Sequence, residues 1–244
     1  MPIFRVKKLP NSEELFELSP KDQKHLTRVL RVSEGDSFEI MLPDGSKARA
    51  RLESFQGQPQ ARLQQVLSQN SETLIPLHLG VGLLRWPRVE WLIEKITELG
   101  IASITLLTLK YCRISKQDML SAHKLQRLQR IAEETLKQCE RYRAPEISVA
   151  SLEEFLTSMN SKSSLLKILL NEKTKEPKFG PQLLQKHPKS ASQYAFLIGP
   201  EGGFADEESQ AALQAGFESA SLGTTLLRAE TAAIYCSSVL SSIL

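Results

Sequence analysis

Cysteine, histidine and aromatic residues are scarce in this chain, and no apolar run is long. Three cysteines (Cys112, Cys139, Cys236) in 244 residues are an odd number at wide spacing. That argues against a disulfide framework and points to a reducing, cytoplasmic setting. Neither they nor the four histidines (His25, His78, His123, His187) show metal-ligand spacing, so no metal is expected. No stretch approaches the ~18 uninterrupted apolar residues of a membrane span; the best candidate, Thr231 to Leu244, is short and carries four serines. The opening residues, Met1 to Lys8, carry charge with no apolar segment behind it, unlike a secretory signal. Charge of one sign is also missing: 31 Lys+Arg face 28 Asp+Glu, for a net +3. Composition alone therefore does not mark a nucleic-acid binder. Gly-x-Ser-x-Gly and P-loop patterns are absent, and Gly80-Val81-Gly82 lacks the third glycine of a dinucleotide fingerprint.

What remains is 41% hydrophobic and 24% charged, enough for a core in one large or two modest domains. Phe38–Leu42 and Ala48–Leu52 flank the turn Pro43-Asp44-Gly45-Ser46, a hairpin signal. Pro59 interrupts a further run, Ala61–Leu67, and the polar Ser68–Thr73 reads as a linker. A small β-rich domain thus ends near residue 72. From Leu74 the pattern changes to alternating strand and helix. Leu77, Leu79, Val81 and Leu83 have period two. Pro87 opens a helix with Val89, Leu92, Ile93, Ile96 and Leu99 on one face, and Gly100 stands where a C′ glycine belongs. Ile101–Leu109 is a buried-strand run, and a long helix follows from about Gln117 to Cys139. Shorter elements at Glu146–Val149, Leu152–Met159, Leu165–Leu170 and Tyr194–Ile198, then helices at Asp206–Ala215 and Glu230–Ile243 flanking the short strand Ser219–Leu222, complete an α/β layer with a mainly parallel sheet.

Three constellations carry chemistry. At Phe196–Phe204 an apolar strand runs into Gly199-Pro200-Glu201-Gly202-Gly203, where glycines let a ligand approach the main chain. A plain tight turn is the alternative. The stretch Gly199–Glu218 holds five acids (Glu201, Asp206, Glu207, Glu208, Glu218) and no base, which favours a neutral or cationic ligand over a phosphate. The second, Leu222-Gly223-Thr224-Thr225-Leu226-Leu227-Arg228-Ala229-Glu230-Thr231, is another strand end with a glycine. Arg228 could simply pair with Glu230, but two such ends suggest one shared pocket. The third is a band from Lys110 to Arg143 with nine basic and four acidic residues. Lys124, Arg127 and Arg130 fit either a solvated helix face or a polyanion surface. Arg141-Tyr142-Arg143, with an aromatic between arginines, suits unpaired RNA.

Together these segments resemble the ribosomal RNA small-subunit methyltransferase E family of SPOUT-type enzymes. The resemblance rests on 197–204 and 222–232, with Arg88-Val89-Glu90 followed by Glu94-Lys95-Ile96-Thr97-Glu98-Leu99-Gly100, Gln138–Pro145 and His25–Asp36 in support. It implies an α/β, trefoil-knotted domain (73–244) with a mainly parallel sheet, preceded by a PUA-like RNA-binding β-barrel (1–72). It also implies a homodimer that uses S-adenosylmethionine to methylate N3 of a uridine in small-subunit ribosomal RNA. The donor would be bounded by Leu170, Asn171, Glu172, Ile198, Gly199, Pro200, Glu201, Gly202, Gly203, Leu222, Gly223, Leu226, Leu227, Arg228 and Thr231. Arg228 would stabilise the developing anion, with Glu230 orienting it. RNA contacts would come from Arg5, Arg28, Arg31, Arg113, Arg141 and Arg143. Other readings are a non-catalytic RNA-binding protein and a SPOUT enzyme with another target nucleotide. Arg85-Trp86-Pro87, Thr225 and Ala205 depart from the family's pattern; Ala205 is a weak helix cap.

Overall fold

The computed structural model describes residues 3–6, 15–55, 58–68, 74–114, 122–174, 177–186 and 192–244. The expected linker after Ser68 and the start of the long helix at 117–121 lie outside them. The chain divides into two compact units, one of Met1–Thr73 with Leu136–Arg143, the other of Leu74–Thr135 with Ala144–Leu244.

The first unit is built on a five-stranded sheet, β1 (Phe4–Arg5), β2 (Leu15–Phe16), β3 (Ser37–Met41), β4 (Lys47–Phe55) and β5 (Gln58–Ser68), ordered β1-β3-β4-β5-β2. Helix α1 (Pro20–Lys24) runs into a wide π-helical turn at His25–Val29. The expected hairpin forms: β3 and β4 pair antiparallel, Ile40 opposite Ala48. Asp44 Oδ1 accepts from the Ser46 N–H at 2.9 Å, and Gly45 takes φ +86°. Alternation sends Phe38 and Ile40 into the core with Phe4 and Leu26, against the small Ala48, Ala50 and Ala61. β5 continues through Pro59 rather than stopping there. β2 reaches only Ala61 and Arg62, so at Pro59 one side of β5 has no strand awaiting an N–H. Among the described residues β1 and β2 are the edges of this sheet, with no pairing recorded between them.

The second unit holds six parallel strands, β6 (Ile75–Gly82), β7 (Ile101–Thr108), β8 (Glu146–Ser151), β9 (Leu165–Leu170), β10 (Gln193–Ile198) and β11 (Glu218–Ala220). Their order is β11-β9-β10-β6-β7-β8. Helices α2 (Trp86–Leu99), α3 (Ala122–Gln138), α4 (Leu152–Asn160), α5 (Pro181–Lys186), α6 (Asp206–Gln214) and α7 (Ala229–Ser241) connect or follow them. The last residues of α3 belong to the first unit. α2 begins and ends as its sequence predicts, with Pro87 in its first turn and Gly100 at φ +73° donating to the Ile96 carbonyl at 3.0 Å. Its Val89, Leu92, Ile93 and Ile96 are fully buried. α7 packs on α2 and on β6, with Ala232, Ala233, Cys236 and Leu240 turned inward.

The chain steps outward from β6 to β7 and β8, then returns to β6's other side, where β10 lies between β9 and β6. Crevices at such reversals are where open α/β sheets bind ligands. Register sharpens the point. Leu170 lies level with Ile198 on one side and with Ala220 on the other. Three adjacent strands therefore end at one height, and their following loops converge.

Candidate active site at three strand ends

A cavity of about 580 Å3 sits over those ends, within the range of small-molecule sites. Its floor and walls are Leu170–Glu172 after β9, Ile198–Glu201 with Gly203 and Phe204 after β10, and Ser221–Ala229 after β11, with Ala232 on α7. The two glycine-bearing loops thus share one pocket, as their sequences suggested. Leu226, at 74% exposure, stands at the mouth.

Close backbone approach shapes the β10 loop. The Gly203 N–H donates to the Pro200 carbonyl at 2.9 Å, and Gly203 takes φ +71°. A Cβ there would stand 2.9 Å from Glu172 Oε1. Gly82, at the end of β6, matters as much. A Cβ on it would lie 2.5 Å from the Pro200 nitrogen, so only glycine lets the loop descend onto the sheet. Sequence reading set Gly80 and Gly82 aside as an incomplete fingerprint. Their use is steric: Gly80 likewise makes room for Leu197. Gly202 faces away from the cavity, toward Tyr111.

Charge is distributed differently from expectation. Of the five acids between Gly199 and Glu218, only Glu201 lines the cavity. Helix periodicity points Asp206 and Glu207 outward, with 82% and 77% of their side chains exposed. Glu208 bends back, accepting from the Ala205 N–H at 2.9 Å and the Lys110 N–H at 2.7 Å. That bond supports a helix start whose Ala205 has no side-chain acceptor. The cavity is instead lined by Arg85, Arg88, Arg113 and Arg228, against Glu172 and Glu201.

Arg88 stands in a supporting motif, with no role at the site assigned to it by sequence reading. Its Nη1 lies 2.5 Å from Glu201 Oε1 and its Nε 3.6 Å from Glu230 Oε1. One guanidinium from α2 therefore joins the β10 loop to the first turn of α7. Glu230 is 5% exposed, and its Oε2 accepts no hydrogen bond among the described residues. No contact between Arg228 and Glu230 is present among the described residues: Glu230 is turned to Arg88. Arg228 is the N-cap residue of α7, exposed and extended (φ −65°, ψ 150°). Its carbonyl accepts from Ala232 at 2.8 Å, while its side chain lines the cavity without a partner among the described residues. Glu230 and the exposed Thr231 do not line the cavity.

Of the arginines expected to meet RNA, only Arg113 lines the cavity. In the first unit Arg5 donates to the carbonyls of Tyr142 (3.3 Å) and Arg141, so it holds that segment. Arg28, Arg31 and Arg143 are exposed. Cys112 is half-buried near the β7 end, and burial pushes its thiol above the ordinary range. Among the described residues no three His, Cys, Asp or Glu converge as a metal site would need, and no helix is long and apolar enough to cross a membrane.

A family model for an RNA methyltransferase domain matches residues 70–241, and one for an RNA methyltransferase PUA domain matches residues 18–57. The ribosomal RNA small subunit methyltransferase E of a Synechocystis strain is 30% identical over 223 residues, covering 90% of this chain and 70% of that protein. Its Bacillus subtilis counterpart is 26% identical over 230 residues, covering 93% and 89%. Among solved structures, one from Legionella pneumophila in complex with the bound cofactor SAM superposes with a TM-score of 0.79 at 30% identity, covering 99% of this chain and 98% of that one.

Proposed function

The chain belongs to the RNA methyltransferase family, and from that premise we propose that it methylates N3 of a uridine in small-subunit (16S-type) ribosomal RNA, acting as a cytoplasmic homodimer. The observation that carries this reading is the cavity where both glycine-bearing loops meet and Arg228 lies on the wall with no partner among the described residues. S-adenosylmethionine fits there: the volume is adequate, the loop backbones come close, and Leu170, Ile198, Leu222 and Leu227 offer apolar contact. When bound, it supplies a methyl group carried on a cationic sulfur. Gly199, Gly203 and Gly223 would offer it main-chain groups, and Asn171, Glu172 and Leu226 would close its sides.

Uridine N3 must lose a proton as it becomes a nucleophile, and negative charge develops on the ring. A guanidinium presents positive charge and several N–H donors, so Arg228 stabilises the charge on the ring. Arg88, held by Glu201 and Glu230, fixes the two loops between which Arg228 stands, which keeps the reacting groups in position. Arg28, Arg31 and Arg143 would meet RNA phosphates from the first unit, and Arg113 from the cavity rim. The knot, in which the C-terminal segment threads a preceding loop, belongs to this proposal.

Calorimetry with S-adenosylmethionine, then mapping of the unmethylated uridine in ribosomal RNA from a deletion strain, tests the reading. One-to-one donor binding and a single restored N3-methyluridine on complementation are expected. RNA binding without donor binding would replace the enzyme with a binding protein.

A further inference from the structure

Two loops that line the cavity meet on its outer side. The first follows β7. Its Leu109–Cys112 is a tight turn, closed by the Cys112 N–H donating to the Leu109 carbonyl at 3.1 Å, and the next residue, Arg113, lines the cavity. The second is the β10 loop, which contributes Gly199–Glu201, Gly203 and Phe204. A turn of this kind uses the N–H of its fourth residue and leaves that of its second without a partner inside the turn. Here the second residue is Lys110. Its N–H donates to Glu208 Oε1 at 2.7 Å, while Oε2 of the same carboxylate accepts from the Ala205 N–H at 2.9 Å. One charged group in the first turn of α6 therefore serves both loops, through the stronger class of hydrogen bond. The tip of the turn also lies against the β10 loop: a Cβ on Gly202 would stand 2.8 Å from the Tyr111 Cβ.

We propose that Glu208 is a positioning residue for RNA: by holding the Lys110 N–H it sets Arg113 at the cavity, in register with the loop that carries the donor. The inference rests on the reading of the chain as an RNA methyltransferase in which Arg113 meets RNA. Glu208 itself does not line the cavity, so it acts through Arg113. The two loops differ in what else holds them. The β10 loop has ties of its own, from the Gly203 N–H to the Pro200 carbonyl and from Glu201 to Arg88. The other ion pair between the β7 turn and α6 among the described residues joins Lys110 Nζ to Glu207 at 3.7 Å, with 58% and 77% of those side chains exposed. A pair so open to water fixes little. Loss of the Glu208 carboxylate would thus release the turn before Arg113 and leave the β10 loop in place. Its helix-capping part is separable. Ala205 already has the extended backbone of a cap residue (φ −67°, ψ 157°), so a serine there supplies an acceptor to the α6 start while the Lys110 N–H stays without its carboxylate.

The test is a cycle run in A205S, where the α6 cap no longer depends on Glu208. Methyl transfer from tritiated S-adenosylmethionine is measured to small-subunit particles from a deletion strain and, separately, to the RNA extracted from them. A205S/E208A should melt close to A205S yet raise the KM for the RNA acceptor about tenfold, the effect of losing one charge-assisted hydrogen bond. A205S/R113A should raise it by about as much. The triple variant should be no worse than A205S/R113A, since the two residues act in series. Calorimetric affinity for S-adenosylmethionine should differ by under about twofold between A205S and A205S/E208A, because the β10 loop keeps its other ties. A KM at the A205S value on removal of either residue would overturn the inference. So would effects that multiply in the triple variant, or a donor affinity that falls in parallel with KM. A parent that binds no donor, or methylates neither acceptor, would instead overturn the methyltransferase reading beneath it.

Discussion

Replacing Arg88 by Met removes the one cation that faces Glu230 among the described residues. At 3.6 Å and an effective dielectric constant near 20, the Coulomb attraction is about 4–5 kcal/mol. Arg88 keeps 31% of its side chain in water, which screens part of that. Breaking a buried pair from one side typically costs about 3–5 kcal/mol, because the remaining charge is stranded. We expect about 2–3 kcal/mol for R88M, since Glu230 is 5% exposed and already has one oxygen without a hydrogen bond. At about 2–4 °C per kcal/mol for chains of this size, the melting temperature should fall by roughly 5–10 °C. The loss should be repaired in the double variant R88M/E230Q, in which no buried charge is stranded. E201Q should cost under about 1 kcal/mol, as its partner contact lies at the cavity rim. Denaturant unfolding of these three variants, of E230Q and of the parent gives the cycle. If R88M/E230Q is no more stable than R88M, or if R88M loses under about 0.5 kcal/mol, Glu230 is not held by Arg88 in the way argued. Calorimetry on R88M supplies the functional half: S-adenosylmethionine should bind several-fold more weakly, because the β10 loop loses its tie to α7.

Arg228→Ala is expected to abolish methylation with donor binding and melting temperature near those of the parent; turnover within tenfold of the parent would remove it from the chemistry. Gly82→Ala should cost about 1–3 kcal/mol and weaken donor binding, since its Cβ meets backbone at Pro200. Gly180→Ala, with nothing within 4 Å of the added carbon, is the neutral control for the same assays. His78 bonds Ser103 Oγ at 2.7 Å and Gln193 Oε1 at 3.2 Å, and burial holds its imidazole below the usual 6.5 despite the opposing Gln193 bond. The unfolded chain therefore takes up the proton first. Stability from the neutral ring is complete above about pH 6.5 and is lost as pH falls toward the folded value. Urea midpoints between pH 8 and 5 should fall more steeply for the parent than for His78→Gln; equal slopes would refute it.

Local patterns carried much of the architecture. Pro87 and Gly100 bracket α2 by chemistry that acts within a few residues, and Asp44-Gly45 turns a hairpin by the same kind of rule. The converging loops were legible because each glycine cluster follows an apolar strand. Arg88 was not, because its partners Glu201 and Glu230 lie over a hundred residues away and only the sheet order brings them to it. Counting acids between Gly199 and Glu218 misled for a related reason. A helix rotates successive side chains by about 100°, so neighbours in sequence such as Glu207 and Glu208 meet different surroundings. The short glycine pair in β6 could have been read as packing had the descent of Pro200 been known.

The grouping of Leu136–Arg143 with the first unit bears on how this protein can be taken apart. Arg5 holds the carbonyls of Arg141 and Tyr142, Lys47 reaches Glu140 at 2.7 Å, and Lys137 reaches Asp22 at 3.7 Å. Excision of the first 73 residues would therefore strip a mid-chain segment of its partners, leaving the remainder with an orphaned basic segment rather than a clean truncation. Grafting the N-terminal module onto another enzyme would have to carry this octapeptide with it. Modularity here follows spatial neighbours, and a cut placed by residue number alone falls in the wrong place.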